Sequence, residues 1–232
     1  MISETIKKNL SNVQQAINNA CLRAGRTAAD VQLVAVTKYA EWEWVMALAA
    51  CHTTFGENRP QQLAERQKLF PDANWHLIGQ LQRNKAKLAV QHSALIHSVD
   101  SLSLLQSLAN IGQQLQVRPR VLLQVNVSGE LSKSGFEKDE LLNAWDRVVE
   151  CQQCVDIVGF MTMAPACEDP EAARSTFRNL FALREEMASS AAAMAHGMTL
   201  PELSMGMSGD FEVAVEEGAT IVRVGSRLFE GV

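Results

Sequence analysis

What this sequence has little of narrows its class. No apolar run is long enough to span a bilayer, and Met1-Ile2-Ser3-Glu4-Thr5-Ile6-Lys7-Lys8 lacks the apolar core of a signal peptide. A cytoplasmic protein with no membrane contact is expected. Lysine and arginine form no run, and their 21 are outnumbered by 26 Asp and Glu, for a net charge of −5. A nucleic-acid partner is therefore not expected, and the scattered acidic excess reads as a solvated surface. Six Pro and 13 Gly are too few for a collagen-like or low-complexity chain. The five cysteines, Cys21, Cys51, Cys151, Cys154 and Cys167, contain a single CxxC, Cys151-Gln-Gln-Cys154. Without a second pair a zinc site has no support, and reduced thiols are the simpler reading. His52, His76, His92, His97 and His196 show neither HxxxH nor HxH spacing, so a histidine metal site has none either. No Gly/Ser-rich or Pro-rich linker divides the chain.

What is there is a large apolar fraction, 47% of 232 residues. A chain of this size buries roughly 70% of its unfolded surface and needs no disulfide or metal to hold it. The apolar residues recur as short continuous runs: Val31–Val36, Thr53–Gly56, Trp75–Gly79, Ala94–Val99, Val121–Val127, Asp156–Met161, Glu202–Met207 and Thr220–Gly225. Continuous runs suit strands buried on both faces, as in parallel sheets.

Helical patterns fill the intervals. Ile6, Leu10, Val13 and Ile17 mark an N-terminal helix that Ser3 can cap and Gly25 can end. Asp169-Pro170 and Asp100-Ser101 each open another, and Ser208 can cap a short one that stops near Gly218. Eight strands alternating with helices, without a linker, predict a single α/β domain over residues 1–232: a (β/α)8 TIM-type barrel with an extra N-terminal helix. The doubly wound open sheet is the alternative, but no GxGxxG or Walker A loop follows the first strand.

In such a barrel, chemistry belongs at the C-terminal ends of the strands. The first strand ends Val36-Thr37-Lys38-Tyr39. A desolvated lysine has a depressed pKa, and a neutral amine attacks an aldehyde to form a Schiff base. On position alone the plainer reading of Lys38 is a snorkelling or ion-paired lysine. The second strand ends Gly56-Glu57-Asn58-Arg59, where Asn58 suits either a ring substituent or an ordinary turn. His76 lies near the start of its strand and reads as a satisfied core or rim histidine. The loop after the fifth strand carries Lys133, a candidate for attracting an anion or simply a solvated residue. In many barrels phosphate sits on the loops after strands seven and eight. There Ser208 offers a hydroxyl, Gly225 permits close backbone approach and Ser226 adds a donor; the plainer reading of Ser208 is a helix cap. Alternation sets Val222 and Val224 on one face of the last strand and Ile221, Arg223 and Gly225 on the other. Arg223 is then expected to point into the barrel, where its partner is a carboxylate or a ligand's ring nitrogen.

Together these pieces resemble the pyridoxal phosphate homeostasis protein family (the YggS/PROSC-like proteins). The motifs that carry the resemblance are Ala35-Val36-Thr37-Lys38, Phe55-Gly56-Glu57-Asn58, Trp75-His76-Leu77-Ile78-Gly79-Gln80-Leu81-Gln82-Arg83-Asn84-Lys85, Lys133-Ser134-Gly135-Phe136, Gly159-Phe160-Met161-Thr162-Met163, Ser204-Met205-Gly206-Met207-Ser208 and Val222-Arg223-Val224-Gly225. Each is weak alone; their order and spacing over nearly the whole chain are specific. The family looks like the barrel domain of alanine racemase, the fold type III of pyridoxal phosphate proteins, without the second, β-rich domain.

The resemblance implies that Lys38 carries pyridoxal phosphate as a Schiff base, that Ser208, Gly225 and Ser226 hold the phosphate, and that Arg223 faces the pyridine nitrogen. It places Asn58 near the ring, with Ser204 and Met205 lining the pocket. Two departures stand out: Arg59 where a Tyr commonly follows Phe-Gly-Glu-Asn, and Leu228-Phe229-Glu230-Gly231 where Phe is often followed directly by Gly. An Arg partner keeps the ring nitrogen unprotonated and weakens the electron sink. The chain's one tyrosine, Tyr39, is adjacent to Lys38 and poorly placed as a second base, unless the strand has already ended. The expectation is a monomeric, non-enzymatic protein of intracellular pyridoxal phosphate (vitamin B6) homeostasis. Its expected partners are the cofactor and apo-enzymes that require it. The alternatives are an amino-acid racemase or lyase of the same fold type, and a cofactor-free aldolase using Lys38.

Overall fold

The structure, a computed structural model, describes residues 2–128, 134–165 and 167–232. Its strands are β1 (Gln32–Val36), β2 (Thr54–Glu57), β3 (Asn74–Leu77), β4 (Leu95–Val99), β5 (Arg120–Asn126), β6 (Phe136–Glu137), β7 (Asp156–Met161), β8 (Glu202–Ser204) and β9 (Ile221–Val224). Every expected run overlaps one, with β2, β3 and β5 each extending one residue beyond its run. β1, β2, β3, β4, β5, β7, β8 and β9 pair in that order, all parallel, and β9 pairs back to β1 to close the ring. The two-residue β6, not anticipated from the sequence, pairs with β5 outside the ring.

The helices are α1 (Ile2–Arg23), α2 (Trp42–Ala49), α3 (Pro60–Leu69), α4 (Ala86–His92), α5 (Leu102–Leu115), α6 (Lys138–Glu150), α7 (Arg174–Ala188), α8 (Ala191–Ala195) and α9 (Phe211–Glu216). Helix α1 buries Ile6, Leu10, Val13 and Ile17 and lies against α2 and α9. Each such side chain is worth roughly 1.5–3 kcal/mol relative to exposure. Ser3 lies inside this helix rather than capping it. Gly25 ends it as expected, at φ 66°, with the Arg26 N–H bonded to Cys21 O at 2.8 Å. Ser101 caps α5 by accepting from the Leu104 N–H, and Asp169 accepts from the Glu171 N–H to open a 3-10 turn ahead of α7.

Strand alternation divides the apolar residues into two cores. Outward side chains such as Leu33, Phe55, Trp75, Leu123, Phe160, Val222 and Val224 pack under the helices. Inward ones, Val34, Leu95, Leu122, Val158, Met161 and Ile221, plug the barrel. The expected sidedness of β9 therefore holds. Polar residues, among them His76, His97, Ser204 and Arg223, share the buried interior with this plug.

Candidate functional site

A cavity of about 770 Å³ opens at the C-terminal ends of the strands, within the range of small-molecule sites. Six of the eight expected residues line it: Lys38, Asn58, Ser208, Arg223, Gly225 and Ser226. Ser204 and Met205 do not. Both are fully buried, and alternation explains each: Met205 packs with the outward core, while Ser204 points inward and bonds to Arg223. Their expected place on the cavity wall is corrected accordingly.

Lys38 stands on a rigid turn. β1 ends at Val36, and the chain folds back so that the Ala40 N–H bonds to Thr37 O at 2.9 Å. Beneath the turn lies a buried ion pair that sequence reasoning missed. Arg66 of α3 donates to Glu57 Oε1, to Thr37 O at 2.8 Å and to Ala40 O at 3.1 Å. The Thr37 hydroxyl donates to the same Glu57 oxygen. Glu57 Oε2 is buried and, among the described residues, meets no side-chain donor. Burial pushes the Glu57 carboxyl above its ordinary range, against the opposing pull of Thr37 and Arg66. A charge closing an otherwise apolar strand was the signal for Glu57; its partner, nine residues on, has none in the sequence.

Lys38 itself is half-buried, with Nζ 5.0 Å from the centre of the Tyr39 ring. Because the strand has already ended, Tyr39 shares the cavity with Lys38, which removes the expected opposition of faces. Tyr39 is largely exposed and stands beside the amine. Asn58 leads from β2 into the cavity wall, pressed against Gly79; a Cβ at Gly79 would come within 2.3 Å of Asn58 O. Arg59 is exposed and outside the cavity lining, whereas Phe229 lines it and stacks on Trp44 at 5.9 Å. The unusual C-terminal spacing thus still delivers its aromatic ring.

On the opposite wall, Ser208 Oγ accepts from the Gly225 N–H at 3.1 Å. Ser208 does not cap α9: that helix starts at Phe211, and its N-cap position is Asp210. Asp210 Oδ1 instead accepts from the Met207 N–H at 2.6 Å. A Cβ at Gly225 would lie 3.2 Å from Val36 O, so the backbone approach there leaves little room for a side chain. Ser226 follows at the start of a 3-10 turn, Ser226–Leu228. With the Gly225 N–H given to Ser208 Oγ, the hydroxyl protons of Ser208 and Ser226 on this wall form a donor pair suited to a phosphate-sized anion. Lys133 lies outside the described residues, although Ser134 lines the cavity and its carbonyl accepts from Gln124.

Arg223 is 4% exposed and reaches the cavity from β9. Its Nη1 donates to Ser204 Oγ at 2.6 Å and its Nη2 to Thr162 O at 3.0 Å. Among the described residues, no carboxylate pairs with it. Burial lowers its pKa to about 10, with Asp210 opposing, so it remains cationic at neutral pH. His76, expected to be a satisfied core residue, is buried and bonded to His97.

The cavity therefore offers an amine on one wall, anion-binding donors on another and a cation set in its floor. That combination fits a phosphorylated ring bearing a carbonyl group. A family model described as alanine racemase, N-terminal domain, matches residues 4–231. Proteins named pyridoxal phosphate homeostasis protein are similar over nearly their full length. The one from Aquifex aeolicus is 38% identical over 96% of both chains, and that of Pseudomonas aeruginosa 37% identical over 97% of this chain and 95% of its own. PipY of Synechococcus elongatus, in a structure with pyridoxal phosphate bound, is 38% identical, with a TM-score of 0.78 over 92% of this chain and 99% of that one. Alanine racemase of Clostridium difficile, at 15% identity, shares the fold, with a TM-score of 0.72 over 97% of this chain and 56% of its own. With its barrel matched almost end to end, the chain belongs to the alanine racemase N-terminal domain family, among relatives that bear the name pyridoxal phosphate homeostasis protein.

Proposed function

We propose that this chain binds pyridoxal phosphate in the cavity at the barrel mouth and serves the homeostasis of that cofactor, without strong turnover of its own. The observation that carries the reading is the meeting of Lys38, the Ser208–Gly225–Ser226 wall and Arg223 in one cavity. When bound, the cofactor supplies an aldehyde that condenses with an amine and a ring that can withdraw electrons.

Lys38 is the amine placed for that condensation, which releases water. Ser208 and Ser226 would hold the phosphate through their hydroxyls, with Gly225 leaving room for its approach, and Asn58 would stand near the ring. Arg223 presents N–H groups to the ring nitrogen and, having no acceptor, leaves that nitrogen unprotonated. A weak electron sink follows. Proton exchange on both faces of a bound amino acid also needs a second base across the cavity, and Tyr39 stands beside Lys38 instead. Both points favour a carrier over a racemase. In this reading residues 1–232 act as one barrel domain, a monomer in the cytoplasm, that limits free aldehyde and supplies apo-enzymes requiring it.

The test is borohydride reduction of the cofactor-loaded protein followed by peptide mapping. The pyridoxyl label is expected on Lys38, and Lys38→Ala should lose covalent labelling while retaining some cofactor through its phosphate. Label on another lysine refutes the assignment, and rapid turnover of an amino acid by the wild type refutes the carrier role.

A further inference from the structure

Inside the barrel, a chain of polar groups runs behind Arg223. Arg223 Nη1 donates to Ser204 Oγ at 2.6 Å. Ser204 Oγ lies 2.8 Å from His97 Nδ1, and His97 Nε2 lies 2.9 Å from His76 Nδ1. The four residues come from β9, β8, β4 and β3, and all are buried.

One direction along the chain satisfies every donor, because Ser204 Oγ has only Arg223 and His97 as hydrogen-bond partners among the described residues. A guanidinium has only donors, so Ser204 Oγ must accept from Arg223, and its single proton goes to His97 Nδ1. His97 then carries its proton on Nε2 and gives that hydrogen bond to His76 Nδ1. Both imidazoles stay neutral. Burial pulls His76 down to about 4, with Arg120 adding to the effect, and pulls His97 well below its ordinary value, with His76 and Arg223 adding. A protonated His97 would turn a donor toward Ser204 and leave the hydroxyl proton without an acceptor among the described residues.

The anchoring has a geometric result. With Nη1 held by Ser204 and Nη2 by Thr162 O, two nitrogens of the guanidinium are pinned, so its plane is fixed where it meets the cavity. Ser204 is an effective anchor only while its hydroxyl proton has somewhere else to go, and His97 is that place. We infer that His97 and His76 are positioning residues, a one-way hydrogen-bond chain that holds Ser204 as an acceptor and thereby aims Arg223 at the ring edge of a bound ligand. This rests on the reading that the cavity holds pyridoxal phosphate and adds to it what sets the angle of the ring's partner.

The test has two arms. In cofactor-free wild type labelled with 15N-histidine, long-range proton–nitrogen spectra report protonation and tautomer, with His97→Gln and His76→Gln assigning the signals. Both residues are expected to be neutral with the proton on Nε2 over ~pH 6–8. An Nδ1–H tautomer or an imidazolium at His97 overturns the chain.

In the second arm pyridoxal phosphate is titrated into wild type, His97→Phe, His97→Gln, Ser204→Ala and the Ser204→Ala/His97→Phe double variant, followed by absorbance. His97→Phe should weaken binding about tenfold and shift the absorption maximum of the bound cofactor. His97→Gln, whose amide oxygen can accept the Ser204 proton, should restore both. The double variant should be no weaker than Ser204→Ala alone. Wild-type affinity and spectrum in His97→Phe, or additive losses in the double variant, overturn the proposal. Should wild type take up no pyridoxal phosphate, the binding reading and the aiming role fall together, while the tautomer arm still shows whether the chain exists. Should His97→Phe not fold, His97→Gln and the wild-type tautomers decide.

Discussion

Replacing Arg66 with leucine is the sharpest perturbation of the scaffold that presents Lys38. Arg66 is 8% exposed, and it bonds the Glu57 carboxylate together with two carbonyls of the 37–40 turn. Its loss leaves a buried carboxylate whose remaining side-chain partner among the described residues is the Thr37 hydroxyl. Removing one member of a buried pair costs about 3–5 kcal/mol. At ~2–4 °C per kcal/mol for a chain of this length, the thermal midpoint should fall by about 6–20 °C. The pH dependence gives the mechanism a signature. Burial raises the folded-state pKa of Glu57, so between the unfolded and folded values the native state binds more protons, and that contribution grows as pH falls. Without Arg66 to pull it down, this window moves to higher pH. The deficit of Arg66→Leu relative to wild type should therefore be largest near ~pH 8 and shrink toward ~pH 5. Glu57→Gln/Arg66→Leu should recover part of the loss and show no such trend. Calorimetry or urea denaturation of the proteins at both pH values is the assay. A deficit below about 1 kcal/mol at the higher pH, or one that grows on acidification, would refute this account of the turn.

Three further outcomes are expected. Ser208→Ala should weaken pyridoxal phosphate binding about 10- to 100-fold, the range of one charge-assisted hydrogen bond, and wild type should bind unphosphorylated pyridoxal poorly; equal affinities for the two ligands in equilibrium titration would contradict the phosphate wall. Arg223→Leu leaves Ser204 Oγ and Thr162 O without their donor and should cost about 1–3 kcal/mol in stability while shifting the spectrum of bound cofactor; an unshifted spectrum in folded protein would separate Arg223 from the ring. Sedimentation should find a monomer, since the closed ring leaves no barrel edge free to pair, and a dimer independent of concentration would overturn that expectation.

The barrel was legible in the chain of amino acids alone. Each apolar run became a strand because a parallel strand covered on both faces must be apolar throughout, a local property visible in any window of residues. Simple alternation was enough to turn Arg223 inward and Val222 and Val224 outward, and the chain ends of β1 and β9 were enough to put Lys38 and Gly225 at the mouth. The same rule, applied to β8, would have shown that Met205 faces the helices; the motif led instead to the cavity. Where Ser208 lends its hydroxyl was not legible, because a cap and a cross-loop acceptor use the same residue in the same local sequence, and only the approach of Gly225, 17 residues on, selects between them. The Glu57–Arg66 pair and the chain from His76 through His97 and Ser204 to Arg223 belong wholly to the tertiary structure. A buried polar group must find a partner, but the partner's identity depends on which strands the closed ring brings side by side at the same height, and no window of sequence contains that distance.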